Sequence, residues 1–150
     1  MKEINPYSPV HLIETVLINA TPQQVWVVMT GVDNWPDWQP NITRATLAGD
    51  LSAGSAFTIT NAGDDINATF HTVTPYHFFG WESHYEGLAV THNWTLVEQD
   101  GQTLVQDEEG MEGAFAEANK ASIQASIETS KPAWLGYLKR EVERRTNQQV

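Results

Sequence analysis

Between Ile42 and Gly113 the sequence divides into six short segments rich in β-branched and aromatic residues: ITRATLAG, SAFTITNAG, DINATFHTVTP, HFFGWESHY, LAVTHNWTLVEQ and QTLVQDEEGMEG. Turn formers stand between them, at Gly49-Asp50, Gly63-Asp64, Pro75-Tyr76, Glu86-Gly87 and Asp100-Gly101. Connections this short cannot carry a parallel crossover, so each strand must pair with the next as an antiparallel meander. A sheet of that size has one apolar face to cover, and the flanking sequence must cover it.

Those flanks change period. Val10 to Ile18 is β-branched and mostly apolar, and reads as one further strand. Thr21-Pro22-Gln23-Gln24 then offers a threonine N-cap, proline at the first helical position and glutamine at the third, which is the start of a capping box. The helix so begun runs through VWVVMT and stops near Gly31. In the following Asn34-Trp35-Pro36-Asp37-Trp38-Gln39-Pro40, Asp33 or Asn34 can cap one more helical turn before Pro40 forbids its continuation. From Ala114 onward the composition favours helix, with Phe115, Ala118, Ile123 and Ile127 as one apolar stripe. Pro132 starts, breaks or kinks an element, and Asn119 to Lys131 reads equally as helix, lid or loop. Beyond it, Trp134, Leu135, Leu138 and Val142 have the spacing of a helix with one buried face.

The 150 residues suit a single domain spanning positions 1–150, large enough to bury one core without staples. A net charge of −11 has the wrong sign for a phosphate backbone or an anionic leaflet, which excludes nucleic acid and the bilayer as expected partners. The absence of cysteine removes disulfides, thiolate nucleophiles and Cys-ligated metals. The first residues lack an apolar signal core, and no run approaches the roughly 18 apolar residues of a membrane span, so a cytoplasmic address is expected. The Asn-x-Thr triplets at Asn19, Asn41, Asn67 and Asn93 then carry no glycan. His11, His71, His77, His84 and His92 show no metal-ligand spacing, and no phosphate loop, dinucleotide fingerprint or serine elbow is present, so neither metal nor cofactor is expected.

The order of one strand, two small helices, six antiparallel strands and a long terminal helix makes an α+β arrangement whose curved sheet can wrap around that helix. It resembles the START-like, polyketide cyclase/dehydrase superfamily (SRPBCC), a helix-grip fold. The resemblance is carried by INATPQQVWVVMTGVDNWPDWQP (Ile18 to Pro40), THNWTL (Thr91 to Leu96), GQTLVQDEEGMEG (Gly101 to Gly113) and GYLKREVE (Gly136 to Glu143). It implies a seven-stranded antiparallel sheet around the C-terminal helix, with a cavity between them for a small apolar or aromatic molecule. It also implies that the Trp-Pro loop closes one end of the sheet, making Trp35 and Trp38 architectural first. No position matches a specific catalytic motif of the family.

Strand alternation nominates the cavity residues. In GLAVTHNWTLVE the positions Leu88, Val90, His92, Trp94 and Leu96 share the inward face, so His92 is a polar group on an apolar row. It is either a hydrogen-bonding or acid–base group in the cavity or a core histidine satisfied by a backbone carbonyl. In HFFGWESHY we favour Trp81 inward, which leaves Glu82 and His84 exposed; the opposite register would bring those two in beside His92. If Val105 and Met111 point inward so does Glu109, where burial would raise its pKa and suit it to proton transfer; otherwise it belongs to an acidic strand end near solvent. Phe70 is an inward ring that serves cavity and core equally. The expected ligand-facing set is therefore Phe70, Trp81, His92, Trp94, Glu109, Leu135 and Leu138, with His92 and Glu109 the catalytic candidates. Three functions compete: a carrier of a small hydrophobic ligand, a cyclase- or dehydratase-like enzyme, and a co-chaperone-like interaction module that uses the outer sheet and no ligand.

Overall fold

The computed structural model describes residues 1–148. Strand β1 (Val10–Ile18) leads into helix α1 (Pro22–Thr30) and a 3-10 helix (Val32–Asp37). The meander follows as β2 (Ile42–Leu47), β3 (Ala56–Asn61), β4 (Asp64–Thr74), β5 (Phe78–Tyr85), β6 (Leu88–Gln99) and β7 (Gln102–Glu112). Helices α2 (Ala114–Ala118) and α3 (Lys120–Asn147) close the chain. All pairings are antiparallel, in the order β1-β7-β6-β5-β4-β3-β2. β1 thus returns to the last strand, and the seven-stranded open sheet curves around α3 in a helix-grip fold.

Local chemistry explains the small elements. The Thr21 hydroxyl accepts from the Gln24 amide N–H (3.3 Å) while the Gln24 side-chain oxygen accepts from the Thr21 N–H (2.9 Å), the reciprocal box that starts α1. The second turn departs from expectation. It is a 3-10 helix whose N-cap position is Gly31, with no side-chain cap, and the Asp33 carboxylate instead accepts from the Leu47 N–H at 2.7 Å. Asp33 therefore ties this turn to β2, and neither it nor Asn34 caps a helix.

Residues Lys120 to Asn147 form one continuous helix, so Pro132 sits in its interior and neither starts nor breaks it. Proline there forfeits the bond its nitrogen would make to the Glu128 carbonyl and crowds that carbonyl with its ring. The expected stripe is also corrected, since Phe115 is exposed and Ala116, not Ala118, is buried. Two apolar clusters hold α3 to the sheet. The larger gathers α1, the tryptophan loop, the inner rings of β3 to β6 and Leu135, Leu138 and Val142 of α3. The smaller unites Val10, Val90 and Met111 with Ala116 and Ile127. Between them the helix stands off the sheet.

The face of the sheet away from α3 carries the N-terminal residues. Asn93 donates to the Lys2 carbonyl at 2.5 Å, Lys2 pairs with Glu82, and Ser8 donates to Glu112 at 3.1 Å. Ile4 is buried over Gly110, where a Cβ would come within 2.5 Å of the Ile4 Cγ2, so the missing side chain makes the seat. Trp35 is 1 % exposed, donates its indole N–H to the Met29 carbonyl (3.1 Å) and meets Phe57, Trp81 and Trp134 at centroid distances of 5.6, 5.9 and 5.4 Å. Trp35→Ala should therefore cost about 3–5 kcal/mol of unfolding free energy, measured by urea titration; a loss below about 1 kcal/mol would show that the ring is not a keystone of this end of the core.

Candidate functional site

A cavity of about 690 Å³ lies where α3 stands away from the sheet. One wall is aromatic: Trp35 from the loop, Trp81 from β5, Trp94 from β6 and Trp134 from α3. Trp94 packs against Trp81 at 6.0 Å and Trp134 at 5.5 Å, so the rings form a continuous surface. α3 supplies Ser122, Ser126 and Ser130 at four-residue spacing, with Ile123 and Ile127 beside them. The polarity of Asn119 to Lys131 follows from this position, because the helix there faces a cavity and solvent in place of a packed core. The exposed residues Asp64, Asp65, Tyr85 and Phe115 form the rim.

A charged row adjoins the aromatic wall. Register places Glu109 directly across from His92, and His92 across from Trp81, so the three side chains form one row over three strands. His92 Nε2 lies 3.0 Å from Glu109 Oε2, and its ring stacks on Trp81 at 4.7 Å. Lys131 reaches down from α3 with Nζ 3.1 Å from His92 Nδ1, 3.0 Å from Asp107 Oδ2 and 3.2 Å from Glu109 Oε1. An ammonium only donates, so Nδ1 accepts and the ring hydrogen sits on Nε2, where it is donated to Glu109. The two carboxylate contacts of Lys131 are close ion pairs out of line for hydrogen bonding, and Glu109 Oε1 and both Asp107 oxygens accept no aligned bond. The side chains of Asp107, Glu109, Lys131 and His92 are 0, 5, 9 and 13 % exposed, which makes this a nearly dry network.

Burial opposes the charge on Glu109, but the neighbouring His92 and Lys131 outweigh it and hold the carboxyl at about 2. The expectation that burial would raise this group is thus overturned, because it did not include a lysine. Burial likewise works against the Lys131 ammonium, yet Asp107 and Glu109 overcome it and raise its pKa above the ordinary value.

Four of the expected ligand-facing residues, Trp81, His92, Trp94 and Glu109, line the cavity together. Phe70, Leu135 and Leu138 do not. Phe70 stacks on Phe57 at 4.7 Å within the larger cluster, and the two leucines, 1 and 0 % exposed, lie on the packed half of α3. On β5, Trp81 points inward as favoured, while Glu82 and His84 lie on the outer side with Lys2. Lys131, Asp107 and Trp134 were not anticipated. Four-residue spacing from Ile127 to Leu135 would have put Lys131 on the buried stripe, and the parity that turns Glu109 inward also turns Asp107.

A depressed carboxyl adds stability that is full above the unfolded carboxylate range and disappears as pH falls through the folded value. Glu109→Gln should therefore lower the melting temperature at pH 7, and the gap to the unmodified protein should narrow steadily from about pH 4.5 toward about 2. Melts across that range check this; a gap independent of pH would mean the Glu109 charge does not contribute to folding.

Residues 9–145 match the family model described as polyketide cyclase / dehydrase and lipid transport. No curated protein matches the sequence. Among solved structures, the Zhui aromatase/cyclase from Streptomyces sp. R1128 is similar at a TM-score of 0.73 and 17% identity, covering 91% of this chain and 94% of that one. A START superfamily protein from Mycobacterium smegmatis gives 0.76 at 12% identity, over 89% and 97% of the two chains. The di-domain ARO/CYC BexL of the BE-7585A biosynthetic pathway gives 0.76 at 15% identity over 91% of this chain but 47% of BexL, so the present chain spans about half of that protein. With a family match over nearly the whole sequence and the helix-grip architecture beneath it, the chain belongs to the polyketide cyclase / dehydrase and lipid transport family.

Proposed function

We propose that this domain binds one small hydrophobic or aromatic molecule in the cavity between its sheet and the N-terminal half of α3. The observation that carries this reading is the pairing of four tryptophans with one charged row around about 690 Å³ of space, a volume in the range of small-molecule sites. The indoles supply apolar area and flat faces; the row of His92, Glu109 and Lys131 orients whatever polar group the ligand carries. The neighbours of similar fold include proteins named as aromatase/cyclases and as a START superfamily protein, and the family description includes lipid transport. The cavity also weighs against a module that works only through its outer sheet, since such a module has no use for an empty interior.

An enzyme of cyclase or dehydratase type is the second reading, and the His92–Glu109 contact favours it. A histidine on a cavity wall, oriented by a carboxylate, has the arrangement of a proton-transferring group. The binding reading comes first because it needs only the cavity.

Two measurements test it. Native mass spectrometry before and after denaturation should release a defined small molecule from freshly purified protein. Ser126→Trp, which adds bulk from an exposed position on the helical wall, should weaken binding of a neutral aromatic probe such as 2-naphthol at least ~10-fold while leaving the melting temperature nearly unchanged. Tryptophan fluorescence titration reads the probe. Unaltered 2-naphthol affinity in Ser126→Trp would place binding outside this cavity and sink the proposal.

A further inference from the structure

We propose that the cavity selects its ligand by charge, taking an aromatic or alicyclic amine as its cation and rejecting carboxylates, phosphates and sulfonates. This rests on the binding reading above and names the ligand class for that same cavity.

The first observation is a count of charged groups. Lys131 is the single lysine or arginine among the described residues lining the cavity, whereas Glu109, Asp64 and Asp65 line it and Asp107 lies directly behind. Lys131 is also already committed. Its ammonium hydrogen-bonds His92 Nδ1 at 3.1 Å and is ion-paired with Asp107 Oδ2 and Glu109 Oε1 at 3.0 and 3.2 Å. An anionic ligand entering the cavity meets no free cation and must approach two rim carboxylates to get there. The buried row thus sets two carboxylates, Asp107 and Glu109, around the Lys131 ammonium and the His92 ring.

The second observation is one of hydrogen-bond geometry. Glu109 Oε1 is a buried oxygen on the cavity wall, ion-paired with Lys131 at 3.2 Å yet accepting no aligned hydrogen bond. A buried carboxylate oxygen without an aligned donor is costly, and a ligand N–H⁺ supplies both the donor and an opposite charge. The third is the aromatic wall. Indole faces attract cations through their quadrupole, and the attraction grows as water is excluded. Trp81 and Trp94 lie beside the charged row, so an amine on a flat apolar body can meet the rings and Glu109 together. A neutral ligand would gain the apolar contacts alone.

The test uses three probes of one shape at pH 7 with the unmodified protein: 2-(aminomethyl)naphthalene as cation, 2-naphthylmethanol as neutral reference and 2-naphthoate as anion. Isothermal titration should rank the amine at least ~10-fold tighter than the alcohol, with the anion at least ~10-fold weaker than the alcohol. Equal affinity of amine and alcohol, or tighter binding of the naphthoate, overturns the charge selection while leaving small-aromatic binding intact. If none of the three binds, both the selection and the binding reading fall. In Asp64→Asn/Asp65→Asn, two exposed rim positions whose replacement leaves the core untouched, the amine advantage should shrink by about twofold or more; in Glu109→Gln, checked for folding by circular dichroism, the amine should lose at least ~10-fold more affinity than 2-naphthylmethanol, so that its advantage vanishes. An amine advantage that survives in folded Glu109→Gln would refute the assigned contact.

Discussion

A lysine ammonium withdrawn from water must be surrounded by acceptors, and the arrangement around Lys131 follows from that requirement. Its partners come from two strands of the sheet and it comes from the helix, so satisfying one charge fixes the height and rotation of α3 over β6 and β7. The tie lies where the helix changes role. On its C-terminal side Leu135, Leu138 and Val142 pack into the larger cluster; on its N-terminal side Ile127 and Ile123 reach only the smaller one, and serines face open space. Hydrophobic burial would close that space, since apolar area gains by removal from water. The ion-paired row sits between the clusters and cannot be compressed without stripping contacts from charged groups.

Such a row is a poor way to stabilise a fold. Desolvating two carboxylates and an ammonium costs several kcal/mol each before their mutual attraction offsets it, and an apolar replacement of similar volume is often equal or better. Losing one member is different: it leaves the others buried and uncompensated, typically at 3–5 kcal/mol. The chain therefore keeps an arrangement that is fragile to single substitutions and no stronger than leucines would be. A charged wall beside four tryptophans fits the proposed ligand site, since the indoles provide the area and the row provides the polarity that the area cannot.

The fold was largely legible because its signals are local. Each turn former between β2 and β7 separates strands that form in the structure, with bulges in β2 and β4, and the capping box at Thr21 is complete within four residues. Legibility ended where tertiary context overrides local rules. Pro132 argues against helix interior, but the cost of one lost hydrogen bond is spread over 28 residues anchored at both ends by packing. Leu135 and Leu138 have the right periodicity for the cavity side, yet periodicity gives only a buried face and does not say whether a packed core or an empty space lies beyond it. Lys131 was passed over for a related reason: in Ser130-Lys131-Pro132 it reads as a solvated charge, and only the strands facing it reveal otherwise.

The charges also bear on whether this wall moves protons. A general base works best with a pKa near the working pH, and Glu109 at about 2 is too weakly basic to take a proton from an ordinary substrate at neutrality. Lys131, pushed upward by its two carboxylates, is correspondingly reluctant to give one. His92 is the one member of the row not locked by a full opposite charge on each side, but both of its ring nitrogens are occupied, by Lys131 and by Glu109. Proton transfer through His92 therefore requires one of those two contacts to open, and the Lys131 contact is the weaker choice to keep, because Lys131 retains Asp107 and Glu109 when it lets go. Binding asks for no such rearrangement: the row as it stands can receive a donor at Glu109 Oε1 with every other contact in place. The geometry proposed to hold a ligand thus obliges any proton transfer through His92 to begin with the opening of its Lys131 or Glu109 contact.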